Sequence, residues 1–227
     1  MTTTLITGAN RGLGLETARR LIEAGHTVYA GMRDTGTGDE ARALGAIPIA
    51  LDVTDQASVD AAVASLPALD VLVNNAGVLG PSRQGVDDLD AASLVQTLDT
   101  NVVGVVRVTQ ACLPLLRRSA APVIVNVASG VGWPRWLSTP GHDEYPVLGI
   151  PYAASKAAVI ALTVQYAKSL PGFRVNASDP GYTATEFNGY SGHQTIQEGT
   201  DATVMLATIG ADGPTGEFHN RSGRIEY

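Results

Sequence analysis

The sequence predicts a doubly wound α/β fold, with about seven mostly parallel strands and helices on both faces of the sheet. Short β-branched runs, most of them apolar throughout, alternate along the chain with stretches in which apolar residues recur at helical spacing. Strands that are apolar throughout are typical of a parallel sheet buried under helices on both faces. Because no repeat or low-complexity linker interrupts this alternation, we expect residues 1–227 to form one domain.

The elements follow one another in a regular order. Strands are predicted at residues 2–7, 27–30, 47–51, 71–74, 123–127 and 173–176, and the segment 213–218 is predicted to be the last strand. Helices are predicted at residues 12–24, 55–65, 91–116, 151–169 and 196–206. Thr54 and Asp55 are suited to cap the second of these helices, and Gly25 is suited to end the first.

Composition excludes several classes of function. The net charge of -7 and the pI near 5.0 argue against a nucleic-acid-binding surface, which needs clustered Lys and Arg. Cys112 is the single cysteine, so an internal disulfide is excluded and a buried structural role is expected. The four histidines show no metal-ligand spacing, so no metal is predicted. With no signal-peptide pattern and no membrane-length apolar run, the expected location is cytoplasmic, without a membrane partner.

A glycine-rich turn directly follows the first strand. Gly8, Gly12 and Gly14 have the spacing Gly-x-x-x-Gly-x-Gly and lead into a helix, with Asn10, Arg11 and Leu13 between them. Gly8 permits a sharp turn, Gly12 lets the backbone approach a ligand, and Gly14 allows the helix to pack on the strand. A pyrophosphate then binds at the helix N-terminus, as in a Rossmann-type fold. The spacing differs from the common Gly-x-Gly-x-x-Gly, and by itself it also fits a tight turn without a ligand.

Two other strand ends are predicted to meet this turn. Asn75, Ala76 and Gly77 follow the fourth strand, at the carboxyl edge where open α/β sheets bind their ligands. Asp52 and Val53 follow the third strand and are expected to contact the adenine end of a dinucleotide. The sequence therefore predicts a dinucleotide site along this edge of the sheet.

The residues after the second strand distinguish between the two nicotinamide cofactors. An acidic residue there binds the ribose 2′-hydroxyl, whereas an arginine accommodates a 2′-phosphate. No acid precedes Arg33, and Arg11 in the glycine turn is a second cation for the same phosphate. The two arginines favour NADP(H) over NAD(H), while Asp34 and Asp39 are evidence in the other direction.

Tyr152 and Lys156 are the candidate catalytic pair. They are four residues apart at the start of a helix, so both project from one face. An ammonium group beside a phenol favours the phenolate, so we expect Lys156 to lower the pKa of Tyr152 from its ordinary value near 10. By itself Tyr-x-x-x-Lys occurs by chance in many helices.

Taken together, these motifs resemble those of the classical short-chain dehydrogenase/reductase (SDR) family, in particular its carbonyl-reductase branch. The resemblance extends over nearly the whole chain. It rests on residues 7–14, on residues 74–77 and on the Tyr152/Lys156 pair, all in the family's order. Asn101, Ser129 and the pair Pro180 and Gly181 add to it. Ala128 departs from the family pattern, since many relatives have a serine there, and the gap between Ser129 and Tyr152 is longer than usual.

The resemblance implies a role for each matching residue. Ser129 is expected to hydrogen-bond the substrate oxygen, and Tyr152 to exchange a proton with it as general acid or base. Lys156 is expected to bind the nicotinamide ribose, and Asn101 to hold a water molecule in the proton relay. Cofactor contacts are also implied for the segment that contains Pro180, Gly181, Thr183 and Thr185.

The resulting hypothesis is an NADP(H)-dependent oxidoreductase that reversibly reduces a ketone or aldehyde, a small-molecule substrate, to an alcohol. An NAD-linked secondary-alcohol dehydrogenase and a non-catalytic NADP(H)-sensing regulator are the alternatives. Residues 130–150 and 182–194 are predicted substrate-site loops. Apolar pocket walls are expected from Trp133, Trp136, Tyr182 and Phe187. Relatives of this kind pair through their long helices, so the resemblance also implies a homodimer or homotetramer.

Overall fold

The computed structural model describes residues 1–80 and 89–226. The strands are β1 (Thr3–Thr7), β2 (Thr27–Met32), β3 (Ile47–Ala50), β4 (Val71–Asn74), β5 (Val123–Val127), β6 (Arg174–Ser178), β7 (Phe218–Asn220) and β8 (Gly223–Ile225). The α-helices are α1 (Gly12–Glu23), α2 (Asp39–Ala43), α3 (Gln56–Ala64), α4 (Ala91–Leu98), α5 (Gly104–Leu116), α6 (Pro134–Leu137), α7 (Ile150–Ser169) and α8 (Ile196–Ala207).

The strands form one sheet in the order β3-β2-β1-β4-β5-β6-β7-β8. Every neighbouring pair is parallel except β7 and β8, which pair antiparallel. The chain moves outward in one direction from β1 to β3 and then in the other direction from β4, so β1 and β4 flank the switch point of a doubly wound sheet. This arrangement confirms the predicted fold class and leaves a crevice at the carboxyl ends of these strands.

Each central strand contributes to two cores, one on each face of the sheet. Leu5, Leu72 and Ile124 belong to the core on the α3 and α5 side. The next residue in each strand, Ile6, Val73 or Val125, belongs to the core on the α1 and α8 side. Successive side chains of a strand point to opposite faces, so an unbroken apolar run is what a sheet with two covered faces requires.

A buried polar network links the centre of the sheet to the helices. Asn74 on β4 donates hydrogen bonds to Asn126 on β5 at 2.8 Å and to Thr109 on α5 at 3.1 Å. Asn126 in turn donates to Thr163 on α7 at 2.9 Å. Each of these side chains is buried, so the hydrogen bonds satisfy groups that water does not reach. The network fixes α5 and α7 against the sheet next to the crevice.

The helix that the sequence predicts at residues 91–116 is interrupted. Residues Asp99–Val103 form a π-helical segment between α4 and α5, and Asn101 lies in it. Such segments often occur at functional sites.

The helices α2 and α6 were not predicted, because four or five residues are too few to show a helical period. No helix in the described part of the chain is both long and apolar enough to cross a membrane.

The prediction of a last strand at residues 213–218 is wrong. Strand β7 begins at Phe218 and β8 follows it, so the sheet has eight strands instead of about seven. Pro214 has no N–H group for a strand ladder, and Gly216 has a φ of 77°, which takes the backbone out of the β region. The turn is held by side chains instead, because Asn176 donates to the Pro214 carbonyl at 2.8 Å.

Cys112 lies on α5 within the core. Burial raises the pKa of its thiol to about 12, so the reactive thiolate is disfavoured at neutral pH. This confirms the expected structural role.

The predicted cap at Asp55 is also confirmed, because its side chain accepts a hydrogen bond from the Ala57 N–H at the start of α3.

Candidate functional site

A cleft of about 1000 Å³ runs along the carboxyl edge of the sheet, from the glycine turn to the start of α7. It collects residues from eight separate segments of the chain. Of the predicted site residues, those that line it are Gly8, Asn10, Arg11, Gly12, Leu13, Gly14, Arg33, Asp52, Val53, Asn75, Ala76, Gly77, Ser129, Tyr152, Lys156, Pro180, Gly181, Thr183 and Thr185. Asn101 is the one predicted catalytic or cofactor-binding residue that does not line the cleft.

Where the glycine turn packs against the neighbouring strand, it leaves no room for a side chain. Where it faces the cleft, there is open space. A Cβ atom on Gly14 would overlap the Gly8 carbonyl oxygen and lie 2.5 Å from Asn75 Nδ2. Gly12, with a φ of 57°, has no heavy atom of the described residues within 4 Å of the corresponding position. Gly14 is therefore required for packing of the helix on the strand, whereas Gly12 allows a ligand to approach the backbone.

Asn75 and Thr7 hold this turn against the neighbouring strand. The amide of Asn75 donates to the carbonyl oxygens of Thr7 and Gly8 at 2.8 and 3.0 Å. The Thr7 hydroxyl accepts from the N–H groups of Asn75 and Ala76 at 3.0 and 2.9 Å. The conformation of the turn therefore depends on the strand beside it, which explains why the two motifs occur together.

The N-terminus of α1 faces the cleft. Its N-cap is Arg11, and no side chain in the described ranges caps its first N–H groups. These groups and the helix dipole together form a site for an anion. An uncapped helix end, open space at Gly12 and a cleft of this length fit the pyrophosphate of a dinucleotide.

Two arginines and two acids near the second strand have different surroundings. Arg33 is exposed at the wall of the cleft. Arg11 also lines it, but its guanidinium forms an ion pair with Glu186 at 2.6 Å. Asp34 accepts a hydrogen bond from the Gly36 N–H, Asp39 pairs with Arg42 at 2.9 Å, and neither acid lines the cleft.

Asp52 lies at the end of the cleft beyond the glycine turn. Its carboxylate accepts hydrogen bonds from the N–H and hydroxyl groups of Thr54 at 2.9 and 2.7 Å. Burial raises the pKa of this carboxyl, but the Thr54 hydrogen bonds and the charges of Arg33 and Arg107 outweigh burial and hold it below its usual value. Asp52 therefore stays ionised and accepts hydrogen bonds at neutral pH.

Ser129, Tyr152 and Lys156 meet at the other end of the cleft. Ser129 follows β5 and lies in the cleft with Tyr152 of α7, close enough to lower the pKa of the tyrosine hydroxyl. The Lys156 Nζ donates to the Val127 carbonyl at 2.8 Å and lies 5.5 Å from the centre of the Tyr152 ring. A serine and a tyrosine hydroxyl thus face the same space, with an ammonium behind them, which is an arrangement suited to protonating an oxygen atom.

The expected effect of Lys156 on Tyr152 is not found. Burial raises the pKa of Tyr152 above its usual value, the Ser129 hydrogen bond lowers it, and the nearby Asp179 raises it further. Burial also lowers the pKa of Lys156 to about 8, although Asp179 opposes that change. The prediction of a lowered tyrosine pKa is wrong here, because burial raises the pKa of Tyr152 and the Lys156 ammonium is not among the groups that shift it.

Asn101 supports the site from behind. Its side-chain oxygen accepts from the Val78 N–H, and its amide donates to the Val78 carbonyl, both at 2.8 Å. The same amide donates to the Ser155 hydroxyl at 2.9 Å, and Ser155 donates to the Tyr152 carbonyl at 2.7 Å. Asn101 therefore positions the first turn of α7.

The apolar walls of the cleft differ in part from the prediction. Tyr182 and Phe187 line it as expected, and the Phe187 ring lies 5.8 Å from the Tyr152 ring. Trp133 and Trp136 instead pack against the core cluster around Phe218. Val147 and Leu148 form the opposite wall. The prediction is wrong for the two tryptophans, because Trp133 at the N-cap of α6 and Trp136 within α6 are packed against the core instead.

The structure also brings two acids next to the site that were not predicted. Asp179 directly follows β6 and is buried, and Glu144 lies against Gly130. Asp179 had a sequence signal, because it is a charged residue at the carboxyl end of an apolar strand. Glu144 had none, since it lies in a loop whose path depends on tertiary contacts.

Comparison with known proteins identifies relatives along the whole chain. The model of the short chain dehydrogenase family matches residues 2–195. The (-)-isopiperitenone reductase of Mentha piperita is 30% identical over 299 residues, with 96% of this chain and 95% of that protein covered. Because this alignment is longer than the 227 residues of the chain, it includes segments of the relative that this chain lacks.

Solved structures agree with these sequence matches. The carbonyl reductase Sniffer of D. melanogaster has a TM-score of 0.84 and 25% identity, with 98% of both chains covered. A 3-oxoacyl-[acyl-carrier protein] reductase with bound NAD from Brucella melitensis has a TM-score of 0.82 and 27% identity, with 96% of this chain and 88% of that chain covered.

We predict that Gly14→Ala weakens dinucleotide binding. The added Cβ atom overlaps the Gly8 carbonyl, so the turn or the helix must move, and affinity falls at least about tenfold with a lower melting temperature. Fluorescence titration with a nicotinamide dinucleotide and thermal unfolding measure both effects. Gly210→Ala is the control, because no atom in residues 1–80 or 89–226 crowds its Cβ position within 4 Å. Wild-type affinity in Gly14→Ala would contradict this account of the turn.

Proposed function

Because this chain belongs to the short-chain dehydrogenase/reductase family, we propose that it is an NADP(H)-dependent oxidoreductase that reversibly reduces a ketone or aldehyde to an alcohol. The observation that carries the proposal is the convergence of Ser129, Tyr152 and Lys156 at one end of a cleft whose other end suits a dinucleotide. When bound, the nicotinamide supplies or accepts the hydride. The chain's own residues hold the carbonyl group and move the proton.

Tyr152 is the proposed general acid and base. The Ser129 and Tyr152 hydroxyls hold the substrate oxygen, and in reduction the Tyr152 O–H donates its proton to that oxygen. The raised pKa of Tyr152 keeps the phenol protonated at neutral pH, which suits the acid of the reductive direction. Lys156, four residues further along α7, lies beside the ring and is placed to bind the nicotinamide ribose.

The side chain of Asn101 is already hydrogen-bonded within the protein, which restricts how this residue can hold a relay water. Its side-chain amide already bonds Val78 and Ser155, so a relay water would be held by its main-chain carbonyl. The π-helical segment at this position changes the main-chain pairing of the helix. We therefore assign the Asn101 side chain to positioning of α7 and its main chain to the water.

The cofactor contacts follow the cleft. The pyrophosphate is held at residues 8–14, the adenine end at Asp52 and Val53, and the central part at residues 75–77. Thr183 and Thr185, after Pro180 and Gly181, are placed for the carboxamide or phosphate.

The preference for NADP(H) rests on the surroundings of the charged residues near the second strand. Arg33 and Arg11 line the cleft, while Asp34 and Asp39 have other partners outside it. An NAD-linked alcohol dehydrogenase remains the second candidate. Two observations favour it, namely the Arg11–Glu186 ion pair and the NAD bound to the Brucella melitensis relative.

The substrate is proposed to be a small carbonyl compound with an apolar body. The loops of residues 130–150 and 182–194 supply Val147, Leu148, Tyr182 and Phe187 around the Tyr152 hydroxyl. These residues are between 43% and 81% exposed, so an apolar substrate that covers them gains the free energy of their burial. Because the reductase relative contains segments that this chain lacks, its particular substrate is not carried over.

We also propose that the chain forms a homodimer or homotetramer through its long helices. Val95 on α4 and Val103 beside α5 are exposed apolar side chains on this surface. Light scattering is expected to give twice or four times the chain mass of 23.5 kDa. A monomer at all concentrations would contradict the proposal.

We predict that Tyr152→Phe loses turnover by at least about a hundredfold, because the proton donor is removed. Its affinity for NADPH is expected to stay near the wild-type value. Oxidation of NADPH with a panel of apolar ketones and aldehydes measures turnover, and fluorescence titration measures affinity. Tyr145→Phe, an exposed tyrosine outside the cleft, is the matched control. A nearly normal rate in Tyr152→Phe would rule out the assigned role.

The Arg11–Glu186 pair allows a sharp test of cofactor choice. Arg11→Gln is expected to weaken NADPH binding about tenfold and to leave NADH binding unchanged, because a charged contact to the 2′-phosphate is lost. Glu186→Gln frees Arg11 from an exposed ion pair and is expected to strengthen NADPH binding by up to about fivefold.

The double variant distinguishes this competition from an indirect effect. In the Arg11→Gln background, Glu186→Gln is expected to change nothing, since the arginine that it frees is absent. Arg42→Gln is the control, because Arg42 is paired with Asp39 outside the cleft. Equal effects on NADH and NADPH would favour the NAD-linked alternative.

A further inference from the structure

Asp179 is a buried carboxylate that the proposed proton transfer does not use. It directly follows β6, and 4% of its surface is exposed. Of the acidic residues in the described part of the chain, only Glu16 is also buried, and Glu16 forms an ion pair with Arg19 on the same helix. A carboxylate this deep costs free energy unless other groups compensate its charge. Its contacts therefore indicate what it does.

The carboxylate of Asp179 accepts main-chain hydrogen bonds just beyond the point where the pairing of β5 and β6 stops. Strands β5 and β6 pair up to Val127 and Ser178, and the Ala128 N–H still donates to the Ser178 carbonyl at 2.8 Å. Beyond this point the chains diverge at Pro180. The Gly130 N–H, next to Ser129, then donates to Asp179 Oδ1 at 2.9 Å. The Gly181 N–H donates to the same oxygen, also at 2.9 Å.

One oxygen atom thus joins two loops of the cleft. Gly130 belongs to the loop that carries Ser129, and Gly181 belongs to the loop that carries Thr183. On the other side, the Asp179 N–H donates to the His219 carbonyl at 2.7 Å, which ties the residue to β7. The position of the serine loop relative to the 180–183 loop therefore depends on this side chain.

The charged groups around Asp179 come from two elements. Lys156 on α7 attracts its charge, and Glu144, in the loop before α7, repels it. The charge of Asp179 also raises the pKa of Tyr152 on α7. Glu144 is itself paired with His142, and the neighbour on β7, His219, faces Asp179 through its main chain. Since water is excluded here, these interactions are stronger than on the surface.

We propose that Asp179 is a positioning residue, which joins the serine loop to the loop after β6 and keeps Lys156 in its charged form. This inference rests on the proposed function, because it concerns the same site. Burial raises the pKa of Asp179 to about 6, the Gly181 and Gly130 hydrogen bonds oppose that rise, and Glu144 adds to it. At neutral pH the carboxylate is ionised, and its charge opposes the loss of the Lys156 proton.

The test is Asp179→Asn, which removes the charge and keeps an oxygen that accepts both N–H groups. Without the charge, Lys156 loses its proton at a lower pH, so the alkaline fall of kcat/KM for NADPH-dependent reduction begins at a lower pH than in wild type. Below about pH 6 the two profiles converge, because wild-type Asp179 is itself protonated there. The profile is measured from about pH 5 to about pH 9.

Thermal unfolding separates this role from a merely structural one. The folded pKa of Asp179 is raised, so its ionisation costs folding free energy at neutral pH, and that cost disappears as the pH falls through about 6. Asp179→Asn is therefore expected to melt at the wild-type temperature or above it at neutral pH. A lower melting temperature together with a pH profile identical to wild type would assign Asp179 a structural role only and overturn the proposal.

Asp70→Asn is the matched control. Asp70 also accepts a main-chain N–H, from Thr3 at 2.8 Å, and a hydroxyl, from Ser119 at 2.6 Å, but it lies at the opposite end of the sheet. Its pH profile is expected to match that of wild type. A wild-type protein without NADPH-dependent turnover would contradict the proposed function, whereas an active wild type with an unshifted Asp179→Asn profile would contradict the role of Asp179 alone.

Glu144→Gln provides a second test if Asp179→Asn does not fold. Removal of this repelling charge lowers the pKa of Asp179, so the carboxylate stays ionised at a lower pH. The Asp179 carboxyl is therefore expected to titrate at a lower pH than in wild type when followed by 13C NMR, while the alkaline fall of kcat/KM is expected to stay in place, because Asp179 is ionised there in both proteins. An alkaline fall that moves to a lower pH in an active, folded Glu144→Gln protein would show that Glu144 and not Asp179 holds the Lys156 proton, and would overturn the proposal.

Discussion

Parallel pairing of β1, β4, β5 and β6 is the constraint on which the rest of the structure depends. It brings the carboxyl ends of these strands to one edge, where each strand leads directly into residues that line the cleft. Strand ends and helix beginnings form the floor of the cleft, and the loops before α7 and after β6 add its walls. The two apolar cores fix the strands in register, so the polar residues at their ends are positioned by packing that is remote from them.

The site is held together mainly by hydrogen bonds that fill gaps in main-chain pairing. Asn75 and Thr7 connect the end of β4 to the glycine turn after β1, and Asp179 connects the end of β6 to the loop after β5. In both places a side chain accepts or donates where diverging strands no longer pair. These links give the cleft a defined shape without covering it.

Burial shifts the pKa values of Tyr152 and Lys156 in opposite directions. It keeps the Tyr152 phenol protonated, which suits an acid, but it also weakens the hold of Lys156 on its proton. The negative charge of Asp179 counteracts the second effect, because it raises the pKa of Lys156. The buried position of Asp179 therefore has a reason, although its ionisation by itself costs stability.

The sequence by itself determined the order of the main elements, the parallel sheet and the candidate catalytic and cofactor-binding residues of the cleft, because apolar periodicity and the glycine turn are properties of one element and its immediate neighbours. Only the tertiary structure decided that Arg11 pairs with Glu186, that the tryptophans turn away, that β7 begins after the Gly216 turn and that Tyr152 is harder to ionise. Arg11 and Glu186 are 175 positions apart, and no local pattern relates them. Contacts and burial of this kind arise from packing, which joins residues that the chain itself keeps apart.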